Sequence, residues 1–153
     1  PKTGAKVCSL QDPTAKMSKS DPDPNGWVSV IEDESSIMKK FKRAVTDSGN
    51  EIVAREDKPG ITNLLVIYSV MTGKTVEEAE REFAGCGYGT FKTAVGEAVA
   101  AKFKPIREEY ARYLADKAYI AEVAKAGAEK AARIAARTLA KVKRKVGLVS
   151  FDK

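Results

Sequence analysis

A mainly α-helical protein is predicted: about thirty strand-like, loop-rich residues that look like the edge of something else, followed by a helical domain. Three observations point there. Residues 1–31 hold four of the six prolines and show no helical period, so they read as loop and edge structure. From Asp33 onward the chain carries helix caps and apolar residues at helical spacing. Between the prolines lies Lys16-Met17-Ser18-Lys19-Ser20, with Asp12-Pro13-Thr14 before it and Asp21-Pro22-Asp23-Pro24 after. Prolines on both sides discourage helix and make this segment an exposed loop.

The elements follow in order. Val7-Cys8-Ser9-Leu10 is expected as a short buried strand and Trp27-Val28-Ser29-Val30-Ile31 as a second. Trp27, the only Trp, follows Asn25-Gly26 and is expected to anchor that turn on a core rather than to bind a ligand. Asp33 caps a helix to about Ala44, with Ile37, Phe41 and Val45 on one face. Thr46 to Pro59 is a polar connection. Gly60 to Met71 is apolar nearly all round and should form a buried central helix ending at Gly73. Thr75 and Glu78 fit a capping box for a short helix to Phe83 or Ala84. Gly85-Cys86-Gly87-Tyr88-Gly89 is a turn, and Thr90 caps a long helix with a kink or break at Pro105. Asp116 starts a short helix that Gly127 ends, and a last helix runs from Ala128 to Lys145.

Composition narrows the chemistry. The chain has 153 residues, enough for one domain or one domain with part of another, and residues 1–31 and 32–153 are the expected division. Pro1 stands where an initiator Met would, so a piece of a longer chain is expected. There is no His, which excludes Ser-His-Asp and Cys-His catalysis and removes the commonest zinc ligand. Cys8 and Cys86 are too isolated for a metal motif and are expected as free thiols. No metal site is expected; Glu32, Asp33 and Glu34 read as charges at a helix N-terminus. No apolar run is long enough for a membrane span and no export signal is visible, so a cytoplasmic protein without membrane contact is expected.

Net charge is +6, and residues 120–153 carry all of it, with nine Lys or Arg against three acids. At 100° per residue, Lys130, Arg133, Arg137, Lys141 and Arg144 share one face of the last helix. Ala131, Ala135, Leu139, Val142 and Val146 lie nearly opposite. Five like charges on one stripe repel unless an anion is near, which favours RNA backbone contact over a solvated face. Tyr110, Tyr113 and Tyr119 are expected as packing residues, with base stacking open to any that are exposed.

The two lysines of the loop can close over a polyphosphate and stabilise charge that builds up in phosphoryl or nucleotidyl transfer. The pentapeptide matches the KMSKS signature of class I aminoacyl-tRNA synthetases without a mismatch. Residues 4–14, Ala44-Val45-Thr46-Asp47-Ser48, Lys58-Pro59-Gly60-Ile61-Thr62-Asn63, Gly87-Tyr88-Gly89-Thr90-Phe91-Lys92 and Gly127-Ala128-Glu129-Lys130-Ala131 extend the match. On these residues the chain resembles the bacterial tryptophanyl-tRNA synthetase family. The resemblance implies the C-terminal part of a ligase that activates tryptophan with Mg-ATP and transfers it to tRNA-Trp. Residues 1–31 would be the C-terminal edge of a Rossmann-type catalytic domain carrying the KMSKS loop, and residues 32–153 a helical tRNA anticodon-binding domain. It implies that Lys16 and Lys19 hold the ATP phosphates and act catalytically. Ser18 and Ser20 would bond phosphate oxygens, and the backbones of Met17 and Val7 would lie near adenine. It further implies a homodimeric parent whose tryptophan pocket and HIGH-type signature are not in this chain, and a fragment inactive alone. The family often has Arg where Lys6 stands, so a bidentate role is not carried over. A tyrosyl-type synthetase fragment and a stand-alone helical RNA-binding module are the alternatives.

Overall fold

The computed structural model describes residues 4–148, which contain five helices. They are α1 Glu34–Arg43, α2 Pro59–Thr72, α3 Val76–Glu82, α4 Tyr88–Ala115 and α5 Lys117–Lys145. The chain divides into two compact units, one ending at Glu108 and one beginning at Glu109.

The first unit is built on α2. Pro59 opens it at a position where its missing N–H costs nothing, and Gly73, at φ 79°, ends it in the left-handed conformation. Ile61, Leu64, Leu65, Ile67 and Tyr68 are buried, as the all-round apolar sequence requires. From α1, Ile37 and Phe41 enter the same core, and Phe91, Val95 and Val99 do so from α4. Asp33 caps α1 by accepting from the Ser36 N–H, and the Thr75–Glu78 capping box closes α3, both as predicted. Cys8 and Cys86 are free thiols.

No strand forms among the described residues; Cys8 and Lys16 make one isolated antiparallel bridge. The Val7–Leu10 strand fails because the Cys8 N–H and C=O are both taken by the side chain of Asn63, not by a neighbouring strand. The Trp27–Ile31 strand fails likewise. Lys40 Nζ takes the Trp27 carbonyl, and the Ser29 N–H donates to Glu32. Trp27, expected on the core, is half-buried with Lys40 Nζ 5.1 Å from its ring centre, and it is the next residue, Val28, that packs against the core. Val45, expected on the buried face of α1, is 44 % exposed. The helix stops at Arg43, and the Val45 N–H bonds the Leu10 carbonyl at 2.7 Å instead.

Three boundaries also differ. α4 starts at Tyr88, with the Gly87 carbonyl accepting from Phe91 N–H, so Thr90 lies inside it. Pro105 does not break α4, which continues to Ala115. In the second unit, Asp116 caps α5 by accepting from the Tyr119 N–H, as expected. Gly127 does not end that helix. Its φ is not positive, and with strong helix formers around it α5 runs unbroken for 29 residues. None of the described helices is long and apolar enough to cross a membrane.

A side chain at position 60 has no room, because a Cβ there would collide with the Val45 carbonyl. Gly89, by contrast, has open space around it. Gly60→Ala is therefore expected to destabilise the protein by about 1–3 kcal/mol, and Gly89→Ala to be neutral or stabilising, in parallel urea titrations. Equal midpoints for the two variants would contradict this packing.

Candidate functional site

The loop has a fixed root and an open tip. At the root, Asn63 on α2 accepts from the Cys8 N–H at 2.8 Å and donates to the Cys8 carbonyl at 2.9 Å. Asn63 is only 7 % exposed, so both bonds are shielded from water. Ser9 N–H donates to the Ala15 carbonyl at 2.9 Å, and Met17 N–H to the Val7 carbonyl at 3.0 Å. These bonds bring residues 15–17 alongside residues 7–9. Asp12 tightens the connecting turn by accepting from the Thr14 hydroxyl and N–H, which hold its carboxyl below the usual range.

The chain then returns to the same root. Asp21 N–H bonds the Ser18 carbonyl at 3.1 Å, closing a turn over the second half of the pentapeptide. Leu10 N–H donates to the Gly26 carbonyl at 2.9 Å. Gly26 leaves room there: a Cβ would sit 2.7 Å from both Asp21 Oδ2 and Ser9 Oγ and would make those side chains shift.

At the tip, Lys16, Ser18, Lys19 and Ser20 are exposed. Neither Lys16 nor Lys19 has an ion-pair partner among the described residues. Ser18 Oγ accepts from the Ser20 N–H at 3.2 Å. Met17 points the other way. It packs against the core and, with Val7, Val28, Phe41, Ile67 and Phe103, lines an apolar cavity of about 200 Å³. The structure thus brings Val7, Lys16, Met17, Ser18, Lys19 and Ser20 into one small loop, with its cations outward and Met17 and Val7 against the core.

A second polar cluster ties the 46–58 connection to α4. Lys58, 5 % exposed, donates to Asp47 Oδ1 at 2.8 Å and to the Tyr88 hydroxyl at 2.9 Å. Tyr88 donates to the same Asp47 oxygen at 2.8 Å, and the Gly49 N–H adds a third bond at 2.7 Å. Burial pushes the Asp47 carboxyl up, but the bonds from Lys58, Tyr88 and Gly49 outweigh it and bring it down to about 2. Lys58 is raised by its bonds to Asp47 and Tyr88.

Lys130, Arg133, Arg137, Lys141 and Arg144 are all exposed on α5 of the second unit, far along the sequence from the loop. None has an ion-pair partner among the described residues. The sequence reading missed Asn63, Asp47, Lys58 and Tyr88 as residues that position the loop and its support. Asn63 had a signal: it is an amide in the middle of an apolar helix, where an unpaired polar group is costly.

The site is thus an exposed loop with two lysines, rooted on a helical core, and comparison with known sequences gives its family. The family of class I tRNA synthetases for W and Y matches residues 3–104, and the chain belongs to it. Among curated relatives, a tryptophan–tRNA ligase of Clostridium tetani is 45 % identical over 97 % of this chain and 44 % of its own length. One of Listeria monocytogenes is 49 % identical over 97 % of this chain and 45 % of its own length. The chain therefore spans under half the length of these relatives. The fold is similar to that of tryptophanyl-tRNA synthetase from Campylobacter jejuni complexed with ADP and tryptophan. The TM-score is 0.74 at 30 % identity, covering 94 % of this chain and 44 % of the other.

Acid should reveal the Asp47 cluster. Its carboxyl is depressed in the folded state, so its stabilising effect is complete above the ordinary carboxylate pKa. That effect is lost as pH falls from about 4 towards 2. Asp47→Asn is expected to flatten this part of a stability-versus-pH curve measured by urea unfolding. An unchanged slope would remove Asp47 from that role.

Proposed function

We propose that this chain is the C-terminal part of a cytoplasmic, homodimeric tryptophan–tRNA ligase and supplies the mobile half of its ATP site. The carrying observation is the pair Lys16 and Lys19: exposed, without ion-pair partners, on a loop whose root is fixed by Asn63. In tryptophan activation, a carboxylate oxygen of tryptophan attacks the α-phosphorus of ATP. The bond to the β-phosphate breaks, and charge grows on the departing pyrophosphate. Two ammonium groups brought over those oxygens favour the transition state more than bound ATP, which is what raises a rate. Ser18 and Ser20 hydroxyls lie on the same turn and can donate to phosphate oxygens. The backbones of Val7 and Met17 form the side of the loop assigned to adenine.

Magnesium belongs to the reading as part of the Mg-ATP substrate. This chain's part in holding that substrate is the two cations of the loop, Lys16 and Lys19. The tryptophan pocket is assigned to the rest of the ligase, and this part alone is read as inactive. Residues 32–153 are read as the tRNA-Trp anticodon domain, with Lys130, Arg133, Arg137, Lys141 and Arg144 contacting RNA phosphates. The names of the relatives, and the neighbour complexed with ADP and tryptophan, support the substrate assignments.

In the full-length ligase, Lys19→Ala is expected to slow tryptophan-dependent ATP–pyrophosphate exchange by about 2–4 kcal/mol of barrier. Tryptophan affinity, measured by equilibrium dialysis, should hold. An unchanged exchange rate would overturn the role of Lys19.

A further inference from the structure

The second unit carries an aromatic cluster that the ATP chemistry does not use. Tyr113, near the end of α4, and Tyr119, in the first turn of α5, stack with ring centres 5.6 Å apart and planes 24° from parallel. The Arg112 guanidinium lies 4.2 Å from the centre of the Tyr113 ring and is paired with Glu109. Both rings are substantially exposed, at 40 % and 45 %. With Arg112 and Asp116 they line a surface cleft of about 230 Å³. Asp116 uses Oδ1 to cap α5, accepting from the Tyr119 N–H at 2.9 Å.

The continuity of α5 gives this cluster its meaning. Because Gly127 stays helical, the register set at Tyr119 carries through to Arg144. At 100° per residue, Lys130, Arg133, Arg137, Lys141 and Arg144 all fall within about 40° of Tyr119 around the helix axis. The platform and the cationic stripe therefore lie on one face. The first of the five cations stands roughly 16 Å beyond Tyr119 and the stripe continues for roughly 21 Å more. Along the stripe Glu122 and Glu129 point about 60° and 80° to one side, and Asp116, the acid in the cleft, is engaged in capping α5.

We infer that the Tyr113–Tyr119 pair is a stacking platform for an unpaired nucleobase of an RNA loop, whose backbone then follows the α5 stripe. This rests on the reading of the second unit as RNA-binding and names the group that it would take. Flat aromatic faces stack on any base, and cations along the same face neutralise the phosphates that follow it. Arg112, stacked on Tyr113, extends the platform as a planar cation. A merely packed tyrosine pair would be expected to lie under other side chains and would have no reason to share a face with five cations.

The test uses the full-length ligase with Tyr119→Ala, Tyr119→Phe and Tyr113→Ala, each checked for native helicity by circular dichroism. The probes are an RNA hairpin with an unpaired loop and the same sequence held as a full duplex. Either Ala variant should weaken hairpin binding roughly 5- to 150-fold, the range for losing one stacked base. Duplex binding and the salt dependence of hairpin binding should stay as in the parent. Tyr119→Phe should retain hairpin affinity. Neutralising Arg133, Arg137 and Lys141 together should instead lower the salt slope on both probes. Unchanged hairpin affinity in both Ala variants, equal losses on hairpin and duplex, or a loss in the Phe variant would each overturn the platform. ATP–pyrophosphate exchange without RNA should be normal in every tyrosine variant. A failure of the ATP reading therefore shows in the Lys19 experiment and not in this one.

Discussion

Two hydrogen bonds from one amide, Asn63 to both backbone groups of Cys8, set the position of everything the loop does. A buried backbone N–H and C=O without partners would cost about 1–3 kcal/mol each. Asn63 meets both from a helix that is itself the centre of the core. Gly60, one turn earlier, lets α2 approach the Val45 carbonyl closely. Val45 in turn donates to the Leu10 carbonyl, two residues past the clamp. The root of the loop is thus held by α2 on one side and by the exit of α1 on the other.

A fixed root and an open tip suit a group that must close over a polyphosphate and release it. Lys16 and Lys19 spend no attraction on neighbouring carboxylates, so the whole of it is available to an incoming anion. Met17 faces the other way and packs against the core, so the tip's cations and its apolar contact lie on opposite sides of the loop. Lys58 is the contrasting case. It is buried, bonded to Asp47 and Tyr88, and committed to holding the connection before α2 in place. Environment, not residue type, separates the lysines read as functional from the structural one.

Much of the fold was legible because local chemistry decided it. Asp33, Thr75 and Gly73 marked helix ends by what their side chains or lack of one can do, and the structure uses each in that way. The all-apolar stretch before Gly73 could only be a buried helix. What failed was decided by a distant partner or by a local signal that the backbone did not need. Val7–Leu10 had strand character, but a residue 55 positions away took its hydrogen bonds. Gly127 read as a stop, yet nothing there required a left-handed turn. The exposed loop and the basic stripe were visible from residue types and spacing. The assignment of ATP and tryptophan came from resemblance. The shared face of Tyr119 and the cations was hidden until α5 proved continuous.

Asn63, on this reading, acts on catalysis through the lysines whose loop it anchors. A double-mutant cycle on ATP–pyrophosphate exchange in the full-length ligase tests it directly, with Asn63→Ala, Lys19→Ala and the double variant compared where all are folded. Asn63→Ala is expected to slow exchange in the parent but to add little once Lys19 is gone. The coupling should then exceed about 0.5 kcal/mol. Full exchange in Asn63→Ala, or losses that simply add, would contradict it.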